Sequence, residues 1–261
     1  MKCPNCQSVE CRKHGLYRGK QRYQCKVCAR QFVETHRVNL HQEPSTGVNA
    51  EIDRYIRSVS TAPADLLLDL QRDTAEYPLA QMQPTVDQVQ LIALWMQSIG
   101  ARRLLEIGIF SGYATLAMAL TLPADGCLIS CGVDGAHLDI VRNYWQQGEV
   151  FSKIDLRIGS GVDLLDSLLT DDHPKLFDAI VISGLKHQYR QYYLRAIDLL
   201  RPQGLLFATD VLWQERVLNL ATYDDAFTRG IGEFNQELAA DSRVQVTILP
   251  IGDGLTIAMK L

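Results

Sequence analysis

From residue 103 onward the chain alternates short apolar runs with longer stretches of helical spacing. The runs are RLLEIGI (103–109), CLISCGV (127–133), IDLRIG (154–159), DAIVIS (178–183) and GLLFATD (204–210). Short, mostly apolar runs predict strands buried on both faces. Helical periodicity between and after them predicts helices over Tyr113–Leu120, Ala136–Gln147, Val162–Leu169, Gln188–Leu200 and Tyr223–Ala239. Strands alternating with helices predict an α/β fold with a doubly wound parallel sheet. The last segment, VQVTILPIGDGLTIAMKL, breaks that alternation. It predicts two strands around PIGDG, a hairpin with Asp253 and Gly254 in its turn, so the expected sheet has seven strands and is mostly parallel. Upstream, residues 50–99 read as helical, broken near Pro63 and Pro78, with Gly100 ending the last helix.

The first 36 residues follow none of these periods. They hold CPNC at Cys3 and Cys6 and CKVC at Cys25 and Cys28. Two C-x-x-C pairs separated by a polar stretch predict four thiolates around one structural Zn²⁺. A module this small buries too little apolar surface to fold unaided, so the metal is expected to supply the folding energy. A disulfide pair or a redox C-x-x-C are the competing explanations. Cys11, His14 and His36 are alternative ligands. The expected organisation is a zinc ribbon over 1–36, a linker over 37–50 rich in turn residues (Pro44, Ser45, Gly47), and a second domain over 51–261.

Charge follows the same division. Residues 1–42 carry nine Lys/Arg against Glu10 and Glu34, a net +7, which leaves −11 on the remainder of a chain whose total is −4. The basic head, with Tyr17, Tyr23 and Phe32 among its cations, is a candidate nucleic-acid contact; the alternative is a solvated surface over a minimal aromatic core. No run reaches the length of a membrane span, and the N-terminus has no apolar leader. The expectation is therefore a cytoplasmic protein with no membrane contact.

After the first predicted strand, LEIGIFSGYATLAMAL places Gly108 and Gly112 where a helix begins. Glycines there let the backbone approach a ligand, and a helix N-terminus offers free amides. The E-x-G-x-x-x-G spacing is not that of a dinucleotide fingerprint.

Two resemblances sharpen these expectations. HGLYRGKQRYQCKVCARQF, with CPNC before it, is similar to the N-terminal zinc ribbon of insertion-element transposases. From about Ile52 to Leu261 the chain resembles the cation-dependent O-methyltransferases, the group of the caffeoyl-CoA and catechol enzymes. The matching pieces include MQ (82–83), LEIGxFSGYATLAMAL, RNYWQ (142–146), YYLRAIDLLRPQG, DVLW (210–213) and LPIGDGLTIAMK. The resemblance implies a Rossmann-like class I methyltransferase domain, S-adenosylmethionine as donor, a small phenolic or catechol-like acceptor, and a homodimer. It implies cofactor-binding roles for Glu106, Gly108, Ser111 and Gly112, and for Gly161, which stands where the family has an alanine near the adenine. It also gives Lys186 a place near the acceptor oxygen, as general base or charge stabiliser.

The same comparison exposes departures. The family's divalent-cation carboxylates fall on Ser183, Leu185 and Thr209, and only Asp210 remains acidic, so weak or absent Mg²⁺ binding is expected. The acid that holds the donor ribose falls on Gly132; Asp134, two residues on, is the nearest substitute, or else a helix cap. Lys186 and Asp210 are the expected catalytic pair, with His187 a further base candidate. Two functions remain open: a methyltransferase working without the usual cation, and a catalytically inactive member acting through its ribbon on nucleic acid or protein.

Overall fold

The computed structural model describes residues 9–17, 20–29, 31–33, 50–75, 83–133, 138–170 and 176–261. The chain divides into two units, 1–41 and 42–261.

The first unit holds a three-stranded antiparallel sheet, β1 (Cys11–Tyr17), β2 (Lys20–Cys25) and β3 (Gln31–Val33). Its register sets Cys11 opposite Cys25, and Arg12 opposite Gln24, which its guanidinium meets at 2.8 Å. Cys25 is buried at the end of β2, and Cys28 closes the turn that follows. Cys3 and Cys6 lie outside the described residues.

The second unit begins with helices α1 (Ala50–Val59), α2 (Asp65–Thr74) and α3 (Val86–Ser98). Pro63 falls between the first two, and Pro78 lies outside the described residues. Thr85 and Gln88 cap α3 reciprocally: the Thr85 side chain accepts from the Gln88 amide and the Gln88 side chain from the Thr85 amide. Gly100, at φ +59, lets the chain leave α3 in the left-handed conformation that glycine favours.

The sheet follows: β4 (Arg103–Ile107), β5 (Cys127–Gly132), β6 (Ile154–Ile158), β7 (Phe177–Ile182), β8 (Leu200–Thr209), β9 (Val244–Leu249) and β10 (Leu255–Lys260). Its order is β6-β5-β4-β7-β8-β10-β9, with β10 antiparallel to both neighbours and the other pairings parallel. The crossovers contain α4 (Tyr113–Thr121), α5 (Leu138–Gln147), α6 (Gly161–Leu169) and α7 (Tyr189–Leu199), and α8 (Ala226–Ala240) precedes the hairpin. Strand β8 starts earlier than expected, at Leu200 rather than Gly204, because Leu200 pairs with Phe177 before a register shift.

Alternation along the central strands builds two cores, one on each face. Leu105 and Ile107 join Ile180, Ile182, Leu206 and Ala208 beneath α7 and α8. Leu104 joins Ala179, Val181, Leu205 and Phe207 beneath α3 and α4. Fully burying one such side chain contributes about 1.5–3 kcal/mol, which is why apolar residues occupy both faces of these strands. Chain order runs outward from β4 through β5 to β6 and then returns to the other side of β4 at β7. The loops after β4 and β7 therefore diverge across a switch point, where open α/β sheets form their ligand crevice.

Candidate active site

At the switch point the backbone leaves no room for side chains. Gly108 has φ +116, and a Cβ there would lie 2.3 Å from the Gly184 nitrogen. The two loops are also bonded together: the Ser183 amide donates to the Ile107 carbonyl at 2.8 Å, and its hydroxyl to the Gly108 carbonyl at 3.0 Å. Ser183 thus ties the β7 loop to the β4 loop. Gly112 stands at the start of α4 with φ +68, and a Cβ there would meet Val141 of α5 at 2.1 Å. Gly161 opens α6, where a Cβ would meet Ile107 at 2.7 Å and the Tyr192 ring at 3.0 Å. These glycines let loops and helices converge around the sheet edge, and the first amides of α4 have no partner within their own helix.

Two predicted loop residues lie inside the protein. Glu106 is 1% exposed, and its Oε2 accepts from Thr115 of α4 at 2.7 Å and Ser130 of β5 at 2.5 Å. Burial raises its carboxyl above the ordinary range, and the Ser130 and Thr115 hydroxyls oppose that rise. The buried Ser111 hydroxyl donates to Gln83 Oε1 at 2.6 Å. Asp134 lies outside the described residues. Gly132, where an acid could hold a ribose, has Ile109 against it: a Cβ would lie 2.4 Å from Ile109 Cγ2.

The β7 and β8 ends carry the charge. Lys186, 5% exposed, donates to Asp210 Oδ2 at 2.7 Å and to the Tyr189 hydroxyl. The Tyr189 hydroxyl in turn donates to the Thr209 carbonyl at 3.1 Å. The Thr209 hydroxyl adds a 3.3 Å bond to Asp210 Oδ2. Asp210 Oδ1 has no hydrogen bond to a described residue. Burial works against the lysine charge, but Asp210 and Tyr189 more than offset it and hold the ammonium above its ordinary range. An amine held protonated is a poor base. His187 is exposed and packs edge-on to Phe227, ring centroids 5.4 Å apart; Phe227 in turn meets Trp213 at 6.2 Å.

A glycine loop after the first strand of a seven-stranded sheet with a reversed end hairpin has known counterparts. Residues 57–261 match the O-methyltransferase family profile. The chain belongs to that O-methyltransferase family. It is 35% identical over 208 residues to the catechol O-methyltransferase domain-containing protein 1 of Mus musculus, covering 80% of this chain and 79% of that one. It is 31% identical over 215 residues to the caffeoyl-CoA O-methyltransferase of Eucalyptus gunnii, covering 80% and 86%. Among solved structures, the O-methyltransferase from Bacillus cereus in complex with SAH superposes with a TM-score of 0.73 at 26% identity, covering 81% of this chain and 97% of that one. The O-methyltransferase TomG from Streptomyces achromogenes, solved with SAM, gives 0.74 at 25% identity, covering 80% and 96%. Family membership places this chain among the S-adenosylmethionine-dependent methyltransferases.

Within that family, two residues of this site escaped the sequence reading. Tyr189 lies three positions after Lys186, one turn on, so spacing alone could have suggested it. Asp253 looked like a turn residue. The pairing of Leu255 with Thr209 carries the hairpin turn alongside the residues that follow β8. No local signal announces that register.

Proposed function

We propose that this O-methyltransferase transfers a methyl group from S-adenosylmethionine to the hydroxyl of a small phenolic, catechol-like acceptor. The observation that carries this reading is the Lys186–Asp210 pair, 2.7 Å apart beside the glycine loop at the sheet's switch point. When bound, the donor supplies a methyl carbon on a sulfonium sulfur that keeps the electron pair of the broken bond. In this reading Gly108, Gly112 and Gly161 let the loops and helices around the donor converge, with Glu106 holding α4 and β5 in place beneath the loop. Asp210, its side chain 26% exposed against 6% for Lys186, is the group the acceptor reaches first. Its Oδ1 takes the hydroxyl proton as the carbon–oxygen bond forms. Lys186 anchors Asp210 and sets a positive charge behind the developing phenolate, where a buried charge is worth most.

The residues at the family's cation positions do not suit Mg²⁺, which requires several hard, charged oxygens. Ser183 is engaged with Gly108, Leu185 offers none, and the one remaining carboxylate is paired with an ammonium. Methyl transfer to catechol, followed by mass spectrometry with and without added Mg²⁺, tests the reading. Product in both conditions is expected. A strict Mg²⁺ requirement overturns the cation-free site, and absence of both product and SAH binding by calorimetry overturns the methyltransferase reading. The second reading, an inactive member, is favoured by Ile109 standing where a ribose-binding acid at position 132 would project.

For the first unit, we propose a zinc ribbon over 1–36 with Cys3, Cys6, Cys25 and Cys28 as ligands, joined through a 37–50 linker to the catalytic domain. Cys25 at a strand end and Cys28 in the next turn suit a thiolate knuckle. Metal analysis of the wild type and of Cys25→Ser tests it, with one equivalent of zinc expected and lost. Exposed Arg12, Lys13 and Lys26 support nucleic-acid binding there, read as salt-dependent retention on DNA or RNA. A homodimer is supported by α1, whose exposed Ile52, Tyr55, Ile56 and Val59 lie at helical spacing along one side of the helix. Light scattering of the wild type and Tyr55→Glu tests that.

A further inference from the structure

The segment after β8 adopts a conformation that its side chains disfavour. Asp210 has φ 55, and Trp213, Gln214 and Glu215 follow with φ 48, 54 and 62, three consecutive non-glycine residues in the left-handed region. L residues enter that region singly and at a cost, so such a run persists only where its surroundings impose it.

What imposes it lies across the β8–β10 pairing. The Gln214 amide donates to both carboxylate oxygens of Asp253, at 2.8 and 3.0 Å. Two residues back, the Leu212 amide donates to the Asp253 carbonyl at 2.9 Å, and a Cβ on Gly254 would lie 2.6 Å from Leu212 Cγ. The hairpin turn is itself held from the other side: the buried Gln88 of α3 donates to the Ile251 carbonyl at 2.8 Å. Asp253 is therefore a fixed point, and the left-handed turn hangs from it. That turn places Trp213 against Phe227, whose ring also meets His187, the neighbour of Lys186. Burial, with Asp210 adding, pushes the Asp253 carboxyl up to about 6, against the opposing pull of the Gln214 amide. A simple solvated turn residue would have neither the amide on both oxygens nor that electrostatic reach to Asp210.

We propose that Asp253 is a positioning residue for the acceptor: by holding the Gln214 amide it locks the Trp213–Glu215 turn and sets the aromatic wall beside the Lys186–Asp210 pair. This rests on the phenolic-acceptor reading above. The donor loop after β4 makes none of these contacts, so the residue acts on one half of the reaction only.

The test uses the full chain and two variants. Asp253→Ala removes the acceptor of the Gln214 amide; Asp253→Asn keeps one carbonyl for it. Two readouts are taken: steady-state constants for catechol and for the donor, and amide hydrogen exchange of the peptide 211–216. Loss of a charged acceptor is expected to raise the acceptor KM about tenfold in Asp253→Ala, with donor KM and SAH affinity unchanged. Exchange at Gln214 accelerates by about the same factor, and Asp253→Asn stays within about threefold of wild type on both. An unchanged Gln214 amide in Asp253→Ala overturns the proposal, as does an equal loss in donor and acceptor KM or an Asn variant as impaired as the Ala one. The exchange arm is decisive even for a wild type that methylates no acceptor: that result sinks the methyltransferase reading and the acceptor role with it, while the strut itself stands or falls on Gln214.

Discussion

The two halves of the sheet edge are built by different means. The side proposed for the donor, after β4 and β5, is shaped by absent side chains: Gly108, Gly112 and Gly132 each sit where any Cβ would collide with a neighbour. The side proposed for the acceptor, after β7 and β8, is shaped by side chains: a buried lysine, a carboxylate, a tyrosine hydroxyl and the Asp253 carboxylate. A backbone-built site tolerates no added atom but needs no charge. A charge-built site tolerates shape changes better than the loss of one ionised partner.

The largest expected effect separates the two halves by charge. Lys186→Met leaves Asp210 without its cation and is expected to lower kcat by about 10²-fold or more. It also removes one member of a buried pair, costing about 3 kcal/mol of stability, the low end because Asp210 is partly solvated. SAH affinity by calorimetry stays at the wild-type value; a parallel loss of SAH binding would show that the halves are not separate.

Gly108→Ala probes the backbone half. With φ +116 and the Gly184 nitrogen 2.3 Å from the new Cβ, the two loops must part. A cost of roughly 3 kcal/mol or more is expected in denaturant unfolding, together with lost SAH binding. Gly100→Ala is the control: its φ is +59, but nothing lies within 4 Å of its Cβ, so only the left-handed penalty of about 1 kcal/mol applies and SAH binding survives. Equal losses for both would mean that close approach plays no part.

The smallest effect is a pH slope on the acceptor half. The Asp253 carboxyl rises from its ordinary 3.8 to about 6 on folding, chiefly through burial with Asp210 adding, against the Gln214 amide, Lys186 and Arg216. A raised carboxyl binds its proton more tightly in the folded chain. Its contribution is therefore present in full below pH 3.8 and declines as pH rises through about 6. Tm measured from pH 4 to 7 should fall more steeply for wild type than for Asp253→Asn; identical slopes would place Asp253 in a solvated environment.

Much of the fold was legible because it is periodic. The strand cores, the three helices before the sheet and the end hairpin follow from apolar spacing and from Pro63, Gly100 and Asp253-Gly254, all local signals. Gly108 and Gly112 were legible as a loop, and Lys186 and Asp210 as candidate chemistry. Ser183 read as a lost metal ligand, yet its hydroxyl ties two loops together. Glu106 read as part of the donor loop; the structure adds that it is 1% exposed and accepts from two internal hydroxyls.

Composition and period by themselves determined the layers of this protein, because burial of alternating apolar faces depends only on neighbours along the chain. Tertiary structure alone decided which polar groups meet. Asp253 reaches Gln214 through the register of β10 on β8, and Ser183 reaches Gly108 through the pairing of β7 with β4. Those partners are distant in sequence, and hydrogen bonds form over about 3 Å of space, a distance only the folded sheet sets.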